Sequence, residues 1–112
     1  MRYMCLIHHD EAALAAAPPS LWGEYAAFNE AMAKAGVIVG GERLRPTTEA
    51  VSIRVAGDKT EVLDGPYAET KEQLGGYYVI EVPDMDQAIA WAARCPAARG
   101  GTIEVRPIWP TR

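Results

Sequence analysis

The apolar positions of this chain fall into short alternating runs and two helical stripes. Tyr3 to His8 reads as a strand that is apolar on both sides, with Tyr3, Cys5 and Ile7 on one and Met4 and Leu6 on the other, a pattern that requires cover on both faces. Ala12 to Pro19 reads as a loop, its alanines too interrupted for a helix. From Ser20 onward, Leu21, Tyr25, Phe28, Met32 and Ala35 recur at the spacing of an amphipathic helix, with Pro18 and Pro19 at its start and Gly36 at its C′ position. Val37 to Val39 begins a second strand that runs into Gly40-Gly41, a pair that admits a bulge or a close backbone approach. Val51, Ile53 and Val55 alternate with Ser52 and Arg54, and Gly57-Asp58 turns the chain back into Thr60 to Leu63, which predicts a hairpin. Tyr77 to Val82 is a further strand. Asp84 caps a second helix, with Gln87 three residues on, Met85, Ile89, Ala92 and Cys95 facing inward, and Pro96 at its end. Ile103 to Ile108 is the last strand, with Glu104 and Arg106 on its open face.

This order predicts an α+β fold, a ferredoxin-like (split βαβ) antiparallel sheet with an extra hairpin, in one domain over residues 1–112. Two helices cover only one face of such a sheet, yet the first strand is apolar on both. A second copy of the same sheet is the simplest remaining cover, so a homodimer with sheets packed face to face is expected, burying on the order of 1,200–2,000 Å² or more.

Composition narrows the function classes. Hydrophobic residues make up 49% and charged residues 23%, the profile of a globular chain. The net charge of −4, with no cluster of Lys or Arg, argues against nucleic acid. No apolar run approaches the roughly 20 residues of a membrane span. The apolar core at the N-terminus, Tyr3 to Ile7, is shorter than a signal-peptide core of about 7–15 residues. A cytoplasmic protein is expected, with Cys5 and Cys95 reduced and acting as small core hydrophobes.

The densest chemistry lies between Asp64 and Val82. Asp64, Glu69 and Glu72, with Lys71 and Tyr67, crowd a turn that leads into a nearly uncharged strand. The run Asp64-Gly65-Pro66-Tyr67-Ala68-Glu69-Thr70-Lys71-Glu72 closely resembles the signature of the DGPF proteins of the YCII-related superfamily, with Tyr67 where that signature has Phe. The resemblance extends to Met1-Arg-Tyr-Met, Gly36-Val-Ile-Val-Gly-Gly-Glu, Gly75-Gly76-Tyr-Tyr-Val-Ile-Glu-Val, Trp91-Ala-Ala-Arg-Cys-Pro-Ala-Ala and Glu104-Val-Arg-Pro-Ile. It implies a ferredoxin-like fold and a dimeric α/β barrel. It implies little about reaction: members look uncharacterised and are often encoded beside extracytoplasmic-function sigma factors, which makes a sigma factor a candidate partner. Some wider relatives carry a His–Asp pair with the histidine on the first helix, but no histidine lies between Ser20 and Gly36 here, so that pair does not carry over by position.

The candidate site residues each have a plain alternative. His8, His9 and Asp10 end the first strand, and adjacent strand residues point to opposite faces, so the two histidines do not converge. One of them beside Asp64 would make a general acid or base, with Lys71 as an anion stabiliser; the alternative is a half-exposed strand-end histidine bonded to backbone. His-His-Asp lacks the spacing of common zinc sites, so no metal is expected. Asp64-Gly65-Pro66 also reads as a simple turn, and Thr70 with Gln73 as the cap of one helical turn closed by Gly75. Tyr67, Glu69 and Lys71 either line a pocket or are solvated. Arg43 can bind a carboxylate or sit on the surface. Trp22, Trp91 and Trp109 read as core or interface anchors. No phosphate-binding glycine loop is present, so no nucleotide cofactor is expected. The reading is a small-molecule binder or cofactor-independent acid–base enzyme, with a non-catalytic regulatory module as the rival.

Overall fold

The computed structural model describes residues 1–110. Strand β1 (Arg2–His9) carries Tyr3, Cys5 and Ile7 to one side, where all three are buried, and Met4, Leu6 and His8 to the other, where they are half-buried. It is central in an antiparallel sheet with β2 (Ile38–Arg43), β5 (Gln73–Glu81) and β6 (Thr102–Pro107), in the order β2-β5-β1-β6. The long helix α2 (Ser20–Ala35) links β1 to β2 across β5, and α3 (Met85–Arg94) links β5 to β6 across β1. These two interlocked crossovers are consistent with a ferredoxin-like α+β arrangement. Both helices pack on the Tyr3–Cys5–Ile7 side: Phe28 and Met32 from α2, and Ala88, Ala92 and Cys95 at α3, close one core with Ile80 and Val82.

The local signals work as physical chemistry requires. Gly36 ends α2 with φ at +70°, a left-handed conformation open to glycine at no steric cost. The Asp84 carboxylate accepts the Gln87 N–H at 2.9 Å and starts α3. The β2–β5 register shifts between Ile38 and Gly40, and a Cβ on Gly41 would lie 2.5 Å from the Tyr77 carbonyl oxygen, so the glycine pair gives both a bulge and a close approach. Cys5 and Cys95 are free and buried, and burial pushes the Cys5 thiol up to about 11.

Several expectations need correction. The segment read as a loop contains a short helix, α1 (Glu11–Ala15), because the Asp10 carboxylate accepts the N–H groups of Ala12 and Ala13 at 2.9 and 3.2 Å. In α3 the inward position is Ala88, at 0% exposure, and Ile89 is 52% exposed: two alanines at i and i+4 let the helix lie close on the sheet. No helical turn forms at Thr70–Gly75. The Gln73 side chain donates to the carbonyls of Ala68 and Thr70, and β5 begins at Gln73. Of the tryptophans read as core or interface anchors, Trp91 packs on the core and Trp109 is 86% exposed in the single chain, which leaves the interface reading for it.

The hairpin of β3 (Val51–Ala56) and β4 (Lys59–Asp64) is a separate two-stranded sheet. Val51, Ile53, Val55 and Val62 share one of its faces, and all are exposed. On the helix-free side of the main sheet, Met4, Leu6, Tyr77 and Val79 form a half-buried apolar strip. Among the described residues no helix is long and apolar enough to cross a membrane.

Candidate functional site

The chain's two histidines are neighbours in β1 and turn to opposite sides of the sheet, as strand geometry demands. His8 faces the helix-free side, with its Nε2 3.4 Å from Glu104 Oε1. His9 faces the helices. At this point the β1–β5 register slips: Ile7 pairs with Gly76 but His8 pairs with Leu74, which leaves Gly75 without a partner in β1. The His9 imidazole lies over Gly75, where a Cβ would overlap its Cε1 and Nε2 atoms. No residue with a side chain fits beneath this ring.

His9 lines a cavity of about 310 Å³ between the sheet, α1 and α2. Ile7, Leu14, Trp22 and Tyr25 form its apolar walls, and Asn29, Arg43 and Tyr78 bring polar groups. The Tyr78 hydroxyl donates to Asn29 Oδ1 at 2.7 Å, and burial pushes its ionisation up to about 12, so it stays protonated. Trp22 stacks on Tyr25 with ring centroids 5.8 Å apart, and the Arg43 guanidinium lies 4.3 Å above the Trp22 ring. Among the described residues the Arg43 guanidinium makes no hydrogen bond or ion pair with a protein group.

Burial holds the His9 pKa below its usual 6.5. Glu11 and Asp10 pull it up, while Arg43 and His8 push it down further. The ring is therefore neutral at neutral pH and can accept a proton. Its Nδ1 is buried with no hydrogen-bond partner among the described residues. Leaving such an atom unpaired costs roughly 1–3 kcal/mol, which marks a position built for something other than stability. The wall carrying Leu14 is tied down by Glu11. Its carboxylate accepts the Thr47 N–H at 2.8 Å and the Thr47 hydroxyl, bonds that hold the Glu11 carboxyl below the usual carboxylate range.

The structure divides the residues singled out from sequence. His9 and Arg43 share the cavity. Asp10, Glu69 and Lys71 line a second, wider hollow of about 390 Å³ beside α1 and the Gly65-Pro66 turn. Among the described residues no unpartnered buried side-chain atom belongs to its lining, and the Asp10 carboxylate is engaged in capping α1. Tyr67 is 84% exposed and lines neither. Asp64 pairs with Val51 across the hairpin, on the face it shares with Ile53 and Val62. It lines neither hollow and is not among the charges acting on His9, so one chain does not bring the expected His–Asp64 pair together. Among the described residues no group of three or more His, Cys, Asp or Glu can hold a metal ion.

Sequence reasoning missed Trp22, Tyr25, Asn29, Tyr78 and Gly75 as cavity residues. The Gly75-Gly76 pair at the head of an apolar strand was the available signal, since glycine there marks a close approach. Compared with known proteins, the chain matches the YCII-related domain over residues 1–112. A protein of Rhizobium meliloti (strain 1021), itself described as uncharacterized, is 35% identical over 114 aligned residues, covering 96% of this chain and 92% of its own length.

Proposed function

The chain belongs to the YCII-related family, and from that premise we propose that the His9 cavity binds a small organic molecule and performs cofactor-independent acid–base chemistry on it. The observation that carries this reading is a neutral imidazole set into a cavity wall, with an unpartnered buried nitrogen and an unpaired guanidinium on the same cavity. His9 accepts the proton of a weakly acidic C–H or O–H, and Arg43 stabilises the anion left behind. Arg43 takes the anion-stabilising role for which Lys71 was considered, and Asp64 has no step in this cavity.

The working unit in this proposal is a homodimer that covers the helix-free strip of Met4, Leu6, Tyr77 and Val79. The run from Asp64 to Glu72 supports membership of the DGPF-type branch, and two free buried thiols suit the cytoplasm. One observation favours a second reading, a regulatory module that docks a partner such as a sigma factor: the exposed apolar face of the hairpin. A thermal-shift screen of small organic acids and carbonyl compounds separates the two. A ligand at 100 times its Kd stabilises by about 2.7 kcal/mol, and on the cavity reading that gain disappears in His9→Asn. Hits that stabilise His9→Asn and Arg43→Gln as well as the parent chain would remove the cavity from consideration.

A further inference from the structure

Resting on the cavity reading, we infer that the ligand is a small monocarboxylate with a flat apolar body, held by its carboxylate on Arg43 and by its body against Trp22 and Tyr25. Charge is the first argument. Arg43 is the cation of the cavity, and among the described residues no carboxylate pairs with it. Glu42 also borders the space, but it pairs with Tyr77 across the β2–β5 ladder, on the opposite side of the sheet from the Gly41–Tyr78 pair that faces the helices. A second cation there would add to the charge that already depresses His9, whereas an anion relieves it.

Geometry is the second argument. The guanidinium carbon lies 4.3 Å from the Trp22 ring centroid, at the cavity wall, and its planar fork of N–H donors matches a planar carboxylate in two parallel bonds. Shape is the third. The Trp22–Tyr25 stack with Ile7 and Leu14 gives broad apolar walls, and about 310 Å³ lies at the low end for ligand pockets. A single ring with a short acidic arm suits it, and a nucleotide does not.

The test uses the intact protein and follows the two imidazole Hε1 resonances by NMR during titration with benzoate and phenylacetate, their neutral amides benzamide and phenylacetamide, and the cation benzylamine. The expected result is that the carboxylates bind at least tenfold more tightly than the amides, benzylamine does not bind, and carboxylate binding raises the His9 midpoint and leaves that of His8 in place. Arg43→Gln, at an exposed position where the fold is retained, should erase the preference for carboxylate over amide, and Arg43→Lys should restore only part of it. Amides or benzylamine binding as well as the carboxylates would overturn the ligand class and leave the cavity reading standing. Carboxylate binding that Lys71→Gln removes and Arg43→Gln does not would assign the ligand to the wider hollow and overturn the inference. If no probe of any charge moves the His9 resonance, the cavity reading fails along with it.

Discussion

The cavity around His9 is assembled from residues far apart in the chain, among them Ile7, Trp22, Arg43, Gly75 and Tyr78, whereas the loop from Asp64 to Glu72 carries a comparable set of reactive side chains in one run. Their environments differ in kind. In the loop the hydrogen bonds shape the turn, and among the described residues Glu72 is the one of its carboxylates that takes part: the Thr70 hydroxyl donates to the Glu72 carbonyl at 2.6 Å, the Ser52 hydroxyl to the Gly65 carbonyl at 3.0 Å, and the Thr102 hydroxyl to Glu72 Oε1 at 2.8 Å. What remains, such as Tyr67 and Lys71, is exposed to water. In the cavity the unpaired groups border a walled hollow. Few groups are present, and two of them, the buried His9 Nδ1 and the Arg43 guanidinium, have no partner among the described residues. A high density of reactive residues shapes a turn, while a low density of unsatisfied ones shapes a site.

The sharpest way to break this contrast is to disturb the seat of His9. His9→Gln should lower turnover of a substrate found by screening by about 100-fold or more, the lower range for removal of a general acid–base group. Gly75→Ala should reproduce much of that loss in steady-state kinetics, because the new Cβ evicts the ring, and it should cost about 1–3 kcal/mol in urea denaturation as an overpacked position. Full activity in Gly75→Ala would show that the ring position is irrelevant.

Next in size is the tie between α1 and the 3₁₀ turn at Thr47–Glu49. Thr47→Val removes the hydroxyl donor to Glu11 and should cost about 1 kcal/mol at this partly exposed site, with weaker ligand binding as Leu14 loosens. An unchanged ligand affinity would remove α1 from the cavity's function.

A smaller effect follows from pH. His9 is depressed in the folded chain, so the unfolded chain takes up this proton first. Its contribution to stability is intact above 6.5 and is lost as pH falls from 6.5 through the folded midpoint. Glu11 is also depressed, and its contribution is lost only below 4.5. Urea midpoints measured between pH 8 and 4 should therefore decline first in the His9 window, and His9→Gln should flatten that first decline. The smallest expected effects are in the loop: Asp64→Asn and Tyr67→Ala should each change stability by no more than about 0.5 kcal/mol and leave the His9 titration unmoved. A shift of the His9 midpoint in Asp64→Asn would join the two regions after all.

The strands, the two long helices, both cap residues and the hairpin were legible because each rests on short-range chemistry: alternation, the i, i+4 stripe, Asp84 at an N-cap and Gly36 at a C′. The opposite facing of His8 and His9 was equally legible, since it follows from the strand period alone. What could not be read was which loop meets which strand end. Asp64 appeared to be a partner for histidine by chemical type, but the hairpin's own pairing puts it beside Val51, and the long-range register that brings Gly75 under His9 leaves no local trace beyond a glycine pair. The phase of α3 was misread for a related reason. Helix spacing alone admits both Ile89 and Ala88 as inward positions, and only the close fit of the helix on the sheet selects the alanine.

The slipped register at Gly75 bears on how this chain tolerates insertion and deletion. Excising that one codon would let Gln73 and Leu74 advance by a residue and restore an uninterrupted ladder to the end of β1, so the shortened chain should still fold. It would also erase the floor on which the imidazole rests, and the His9 midpoint should return toward that of an ordinary surface histidine. Excision, unlike Gly75→Ala, would therefore be read most directly in the proton affinity of one ring.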